Sequence, residues 1–215
     1  MQRKALLYLF KMNKQTEDIK VIREMMEKSS KFQAINGLSL VFAGLLAVAG
    51  AAFAYFYLLR NPSQTDFNRT QETLILLADA LAVLVLAIGV ITLFSWMKAK
   101  KNKQNLFNKV TMRAAYNLLI PLMAGGIFSL LLLYNGSIGF IASSTLIFYG
   151  LALINASKYT ADEIHFLGIC EVIIGILAAI YLYHGFYWWV IGFGVCHIVF
   201  GMIMYLKYDK SPKCE

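Results

Sequence analysis

The sequence predicts an all-α integral membrane fold: six transmembrane helices forming three consecutive helical hairpins, with both termini in the cytoplasm. Three observations carry that expectation. The 215 residues are 59% hydrophobic and only 15% charged, with mean hydropathy +0.62, whereas soluble domains run nearer one-quarter charged. The apolar residues gather in six blocks, at 34–58, 74–97, 116–134, 138–154, 164–183 and 186–206. Most approach the ~20 residues that cross ~30 Å of hydrocarbon as a helix. Eighteen of the twenty Lys and Arg fall before the first block, between the second and third, between the fourth and fifth, or after the sixth. Only Arg60 and Arg69 lie in the alternate loops, so the positive-inside rule puts both ends in the cytoplasm.

The net charge of +8 therefore signals topology and contact with anionic headgroups, not nucleic acid. Three cysteines form no disulfide framework. The amino terminus lacks a short apolar stretch with a small-residue cleavage site, so the first span is expected to be an uncleaved anchor of the inner (plasma) membrane. The expected domains are a cytoplasmic segment 1–31, a membrane domain 32–207 and a tail 208–215.

In segment 1–31, Thr16 precedes Glu17 and Asp18, and Ile19, Ile22 and Met25 follow at helical spacing. This reads as an amphipathic helix on the inner leaflet or as a docking helix for a cytosolic partner. The first span places Gly37, Gly44 and Ala51 on one face, which permits close helix contact, and ends in Tyr55, Phe56 and Tyr57 at the interface. The loop after it, residues 60–72, is the only sizeable external segment. It holds the triplet Asn68-Arg69-Thr70, a glycosylation sequon only in a eukaryotic secretory pathway.

The second span carries Asp79 on a stripe with Ala82, Leu86 and Gly89, so the acid is expected to face neighbouring helices. The third contains Pro121, followed by Gly125 and Gly126. Proline removes a ladder bond and frees the carbonyl of Asn117. That oxygen could bind a cation or substrate, as broken helices do in transporters, or the site could be a packing kink. Asn135-Gly136-Ser137 turns the chain into the fourth and shortest span. Thr160-x-x-Glu163 reads as a capping box for the fifth.

The last two spans hold the leading candidates. Counted from a turn at His184-Gly185, Glu171 lies thirteen residues back and His197 thirteen forward. Two helices of equal rise put them at one depth. Glu171 shares a face with Gly168, Gly175 and Ala178, and His197 with Gly194 and Gly201, so both point into the bundle. A carboxylate and an imidazole are costly in hydrocarbon without partners. They form either a proton- or cation-binding site or a structural pair that sets hairpin register. A metal needs about three protein ligands, and Cys196 and His197 point about 100° apart on a helix, so no metal is expected. Facing histidines for haem are missing, and no cofactor is expected. No Gly-x-Ser-x-Gly, His-Glu-x-x-His or P-loop occurs, which argues against an enzyme. Phe186, Tyr187, Trp188 and Trp189 read as an interfacial girdle.

Glycines recur between blocks. At an offset of 49, Gly126 matches Gly175, and at 131, Gly37 and Gly44 match Gly168 and Gly175. Gly89, Gly150 and Gly201 take comparable places in the even spans. Three parallel hairpin repeats would account for this. The six-span, three-hairpin layout with a glycine per helix resembles the HdeD-type acid-resistance membrane proteins of bacteria. The segment REMMEKSSKFQAINGLSLVFAG is similar to uncharacterised membrane proteins of Bacteroidota. Neither resemblance supplies a site residue.

The functional expectation is a membrane protein that binds or translocates a small solute or ion. Glu171 and His197 would be its proton-sensitive ligands, with Asp79 and Asn117 secondary. The alternative is a sensor or stress adaptor acting through residues 1–31, the Glu/His pair being structural. Expected partners are the bilayer, a homo-oligomeric copy and a cytosolic protein.

Overall fold

The computed structural model describes residues 36–60, 66–101 and 109–210, with side chains described for 36–57, 72–101 and 109–210. The amphipathic helix expected in 1–31, the side chains of the Asn68-Arg69-Thr70 triplet and Cys214 lie outside those residues. Every described element is helical. Among the described residues, six helices are long and apolar enough to cross a membrane. They are α1 (Gly37–Arg60), α2 (Asp66–Lys101), α3 (Lys109–Tyr134), α4 (Ile141–Ala156), α5 (Asp162–Ile180) and α6 (Leu182–Asp209). The chain is thus of the multi-pass membrane class.

Boundaries differ from expectation where the ends are polar. α2 has 36 residues, about 54 Å at 1.5 Å per residue, so it outruns the hydrocarbon and takes in much of the expected outer loop. α4 has only 16 residues but gains a 3₁₀ turn at each end, Ile138–Phe140 and Ser157–Tyr159. Between α3 and α4, Gly136 adopts φ +72°, the left-handed conformation glycine takes without steric cost. α6 is irregular: a 3₁₀ turn to His184, a short α segment, a π-helical stretch Val190–Cys196, α-helix His197–Met204 and a second π stretch Tyr205–Asp209.

The expected capping box does not form. Ala161 is the N-cap of α5 and makes no side-chain cap. Thr160 turns back to donate to the Ala156 carbonyl at 3.5 Å, while Lys207 Nζ donates to Glu163 Oε1 at 2.6 Å and Tyr208 OH to Oε2 at 3.0 Å. A long-range cation has outcompeted a local cap.

Packing centres on α1, α4, α5 and α6. α1 packs against α6 and α2, α4 against α5 and α3, and α5 against α6. Leu146, Leu167 and Met204 are almost wholly enclosed. Lipid tails are as apolar as leucine, so such contacts depend on close van der Waals fit rather than on escape from water. Glycines set that fit. A Cβ on Gly37 would meet Gly201 O and Tyr205 N, and one on Gly168 would meet Gly150 O and Ile154 N. A Cβ on Gly201 would meet Gly37 O and Val41 N, and one on Gly150 would meet Gly168 O and Val172 N. Likewise Gly44 faces the backbone nitrogen and Cγ1 of Ile198, and Gly175 those of Ile147. The α1/α6 and α4/α5 crossings thus share one antiparallel register. At the polar end, Asp209 accepts from Gly37 N–H at 3.0 Å and pairs with Lys98 at 2.8 Å, tying α6 to α1 and α2.

Candidate functional site: a buried acid, imidazole and phenol

Glu171 reaches the interior because α5 turns Leu167, Gly168, Glu171, Gly175 and Ala178 to one buried face. His197 opens the α-helical segment of α6 just beyond the π stretch, on a face with Gly194 and Gly201. Glu171 is 0% exposed and His197 4%. Their closest atoms, Glu171 Oε1 and His197 Nδ1, are 3.3 Å apart. The two residues matched by sequence distance from the turn do meet.

Two residues that the sequence reading passed over complete the arrangement. His197 Nδ1 lies 3.1 Å from the carbonyl of Gly192, and Nε2 lies 2.7 Å from Tyr149 OH. A carbonyl can only accept, so Nδ1 carries hydrogen. Nε2 then accepts from the phenol when the ring is neutral and donates to it when the ring is protonated. Tyr149 and Phe193 also stack on the imidazole, with centroids 5.4 and 6.0 Å away. The two rings lie beside one another at 5.0 Å, and an aromatic face favours a cationic neighbour.

The Nδ1–H bond to Gly192 has a consequence for Glu171. The carboxylate sits within ion-pair distance of the ring, yet neither of its oxygens has a hydrogen-bond donor among the described residues. Oε2 rests over Gly192, where a Cβ would press on it. Gly192 therefore both occupies the histidine's proton and leaves room for the carboxylate. The π turn supports this, because π-helical geometry spaces Gly192 and His197 one residue wider than an α-turn pair. A signal for Tyr149 was present: a tyrosine well inside a span needs a partner for its hydroxyl. Which of the fifteen glycines would lend its carbonyl to His197 is not distinguishable by pattern.

The other candidates fall elsewhere. Asp79 is half-buried with its carboxylate oxygens against Gly50 of α1, and its expected stripe-mates Ala82, Leu86 and Gly89 are exposed. The residues of α2 that meet α1 are instead Asp79, Val83 and Phe94, a correction caused by where α1 crosses. Pro121 sits inside α3 and frees the Asn117 carbonyl, but Asn155 of α4 donates to that oxygen at 3.0 Å. Asn117's own amide returns to Arg113 O at 2.8 Å. Gly125 packs under Phe148, whereas Gly126 has open space. Among the described residues no group of three or more His, Cys, Asp or Glu side chains could hold a metal.

Fold and site together define a class: a six-helix membrane protein whose interior holds an acid–imidazole–phenol chain. Comparison of the sequence with protein-family models and curated proteins, and with solved structures, finds no match.

Proposed function

We propose that this chain is a polytopic protein of the cell's inner membrane that binds or moves a small ion, with a proton exchanged at Glu171 and His197. In this reading the helices form three related hairpins with both termini cytoplasmic. The antiparallel crossings of shared register and the one-sided distribution of Lys and Arg support that layout.

One observation carries the functional part: a wholly buried carboxylate with no hydrogen-bond donor among the described residues, beside an imidazole that has two partners. Leaving such a group unsatisfied costs several kcal/mol as a charge. The pair is neutral either as carboxylic acid beside imidazole or as carboxylate beside imidazolium. The two states differ in whether Nε2 carries a proton, and Tyr149 OH is donor to that nitrogen in the first and acceptor from it in the second. Protonating or deprotonating the neutral pair changes the site's charge by one, which couples proton exchange to an ion.

The test is pH-difference infrared spectroscopy of the protein in bilayers, run beside ion flux into proteoliposomes. Wild-type protein should show a carboxylic-acid C=O band that titrates, and it should vanish in Glu171→Gln and change in His197→Ala. Flux that depends on pH should fall in both variants. A carboxyl band that does not respond to pH, or variants with unaltered flux, would remove the reading.

A further inference from the structure

We propose that the π stretch Val190–Cys196 of α6 is a proton-driven switch. When Glu171 ionises, the Nδ1 hydrogen of His197 leaves the Gly192 carbonyl for Glu171, and the stretch rewinds as α-helix. Resting on the Glu171 titration read above, this names what that titration moves.

One hydrogen faces two acceptors. His197 Nδ1 lies 3.1 Å from Gly192 O and 3.3 Å from Glu171 Oε1. The carbonyl receives it, and neither carboxyl oxygen has a donor among the described residues. A neutral acid tolerates that far better than a carboxylate, because burying an unpaired charge carries much the larger penalty. The arrangement is therefore the proton-loaded one. Release of the Glu171 proton to water leaves a carboxylate, and a charged acceptor holds an N–H about twice as strongly as a neutral one. A small turn of the ring re-aims Nδ1–H, and the imidazole neither gains nor loses a proton. The other ionisable groups near Glu171 are Cys196 of α6 and Tyr149 of α4, with Cys170 next to it on α5. Residues 37–57, 138–156 and 164–206 hold no Lys or Arg, so no cation from those spans competes with His197.

The backbone responds because Gly192 O then needs another donor. In an α-helix that donor is the N–H four residues on, at Cys196, whereas π geometry widens the pairing to five. His197, five residues on, supplies its side-chain hydrogen across the wider turn. With that hydrogen withdrawn, the α pairing is the better one. Winding in the extra residue turns the adjoining segment by about 100° and shifts it by about 1.5 Å.

The cytoplasmic side of α6 is pinned by Gly201 against Gly37, by Lys207 on Glu163, and by Asp209 on Gly37 N–H and Lys98. The outer side, Gly185–Trp189, follows a non-helical Tyr181 at φ −105° and ψ 63° and a 3₁₀ turn, which can take up the shift. A second observation marks that side. Trp188 Nε1 is enclosed with no acceptor among the described residues, as the Glu171 oxygens are enclosed with no donor. The unmet acid lies against the π stretch and the unmet indole just before it. Turning the outer segment carries that indole out of its present position.

The experiment follows fluorotryptophan by fluorine NMR in the full chain in lipid nanodiscs, beside the infrared titration of Glu171. Trp96→Phe leaves Trp188 and Trp189 as the probes. Their signals should pass between two positions with the midpoint of the Glu171 carboxyl band. Glu171→Gln, neutral at every pH, should hold the low-pH positions throughout. His197→Phe keeps a ring without Nδ1–H, so Glu171 should titrate while the tryptophan signals stay fixed. His184 lies beside Tyr187, with centroids 6.3 Å apart, and is present in every variant, so the shift that counts is the difference from Glu171→Gln. Where His197→Phe does not fold, that difference still decides. A carboxyl band that titrates while the tryptophan signals stay still overturns the switch and leaves the proton reading standing. Tryptophan signals that move in either variant as they do in the parent overturn it too. A carboxyl band that never responds to pH removes both.

Discussion

His197 Nδ1 stands 3.3 Å from Glu171 Oε1 while spending its hydrogen on Gly192 O at 3.1 Å. The acid is therefore held next to the base without being satisfied by it. Removing the histidine should expose how much the pair matters. His197→Ala should cost about 3–5 kcal/mol, because an unpaired buried carboxyl remains. The double variant Glu171→Leu/His197→Phe should be close to neutral or more stable, since buried ion pairs replaced by apolar groups often gain stability. Reversible unfolding in mixed micelles measures both. A double variant worse than His197→Ala would mean that the pair is a net structural asset.

Tyr149→Phe removes only the hydroxyl that partners His197 Nε2 at 2.7 Å. Loss of a buried partner should destabilise by about 1–3 kcal/mol. The infrared titration of Glu171 should also move, because the imidazole loses the group that accepts from it when protonated. A purely packing role for Tyr149 predicts the stability loss without the spectral change.

The glycine crossings should discriminate sharply between positions. Gly150→Leu and Gly168→Leu would drive side chains into facing backbone and should cost about 1–3 kcal/mol or more from overpacking. Gly89→Leu, with open space around it, should leave the unfolding free energy of the monomer nearly unchanged. Parallel unfolding curves of the three variants check this.

Asn155→Leu should strand the Asn117 carbonyl that Pro121 frees. The expected loss is about 1–3 kcal/mol. Hydrogen exchange should show faster opening on α3 near Asn117 than on α5. An unchanged exchange pattern would mean that water or another donor replaces the amide.

The six spans were legible because membrane insertion depends on local composition: length and hydropathy act on each span separately. The Glu171–His197 meeting was legible for a related reason. Two helices joined by a tight turn keep residues at equal count from it near one level. Less accessible were partners that come from other helices. Asn155 reaches Asn117 from 38 residues away, and Lys207 takes Glu163 from 44; the second contact undid the capping box that local spacing predicted.

The amino-acid order alone determined six apolar spans and the equal spacing of one acid and one base from a turn. Those properties follow from short-range chemistry and the fixed rise of a helix. Tertiary structure decided that α1 crosses α6, that Gly192 and Tyr149 claim the two nitrogens of His197, and that α2 packs on α1 and α3 on α4. These depend on helix rotation and crossing angle, which are set by side chains interlocking between distant segments and are not encoded in any one of them.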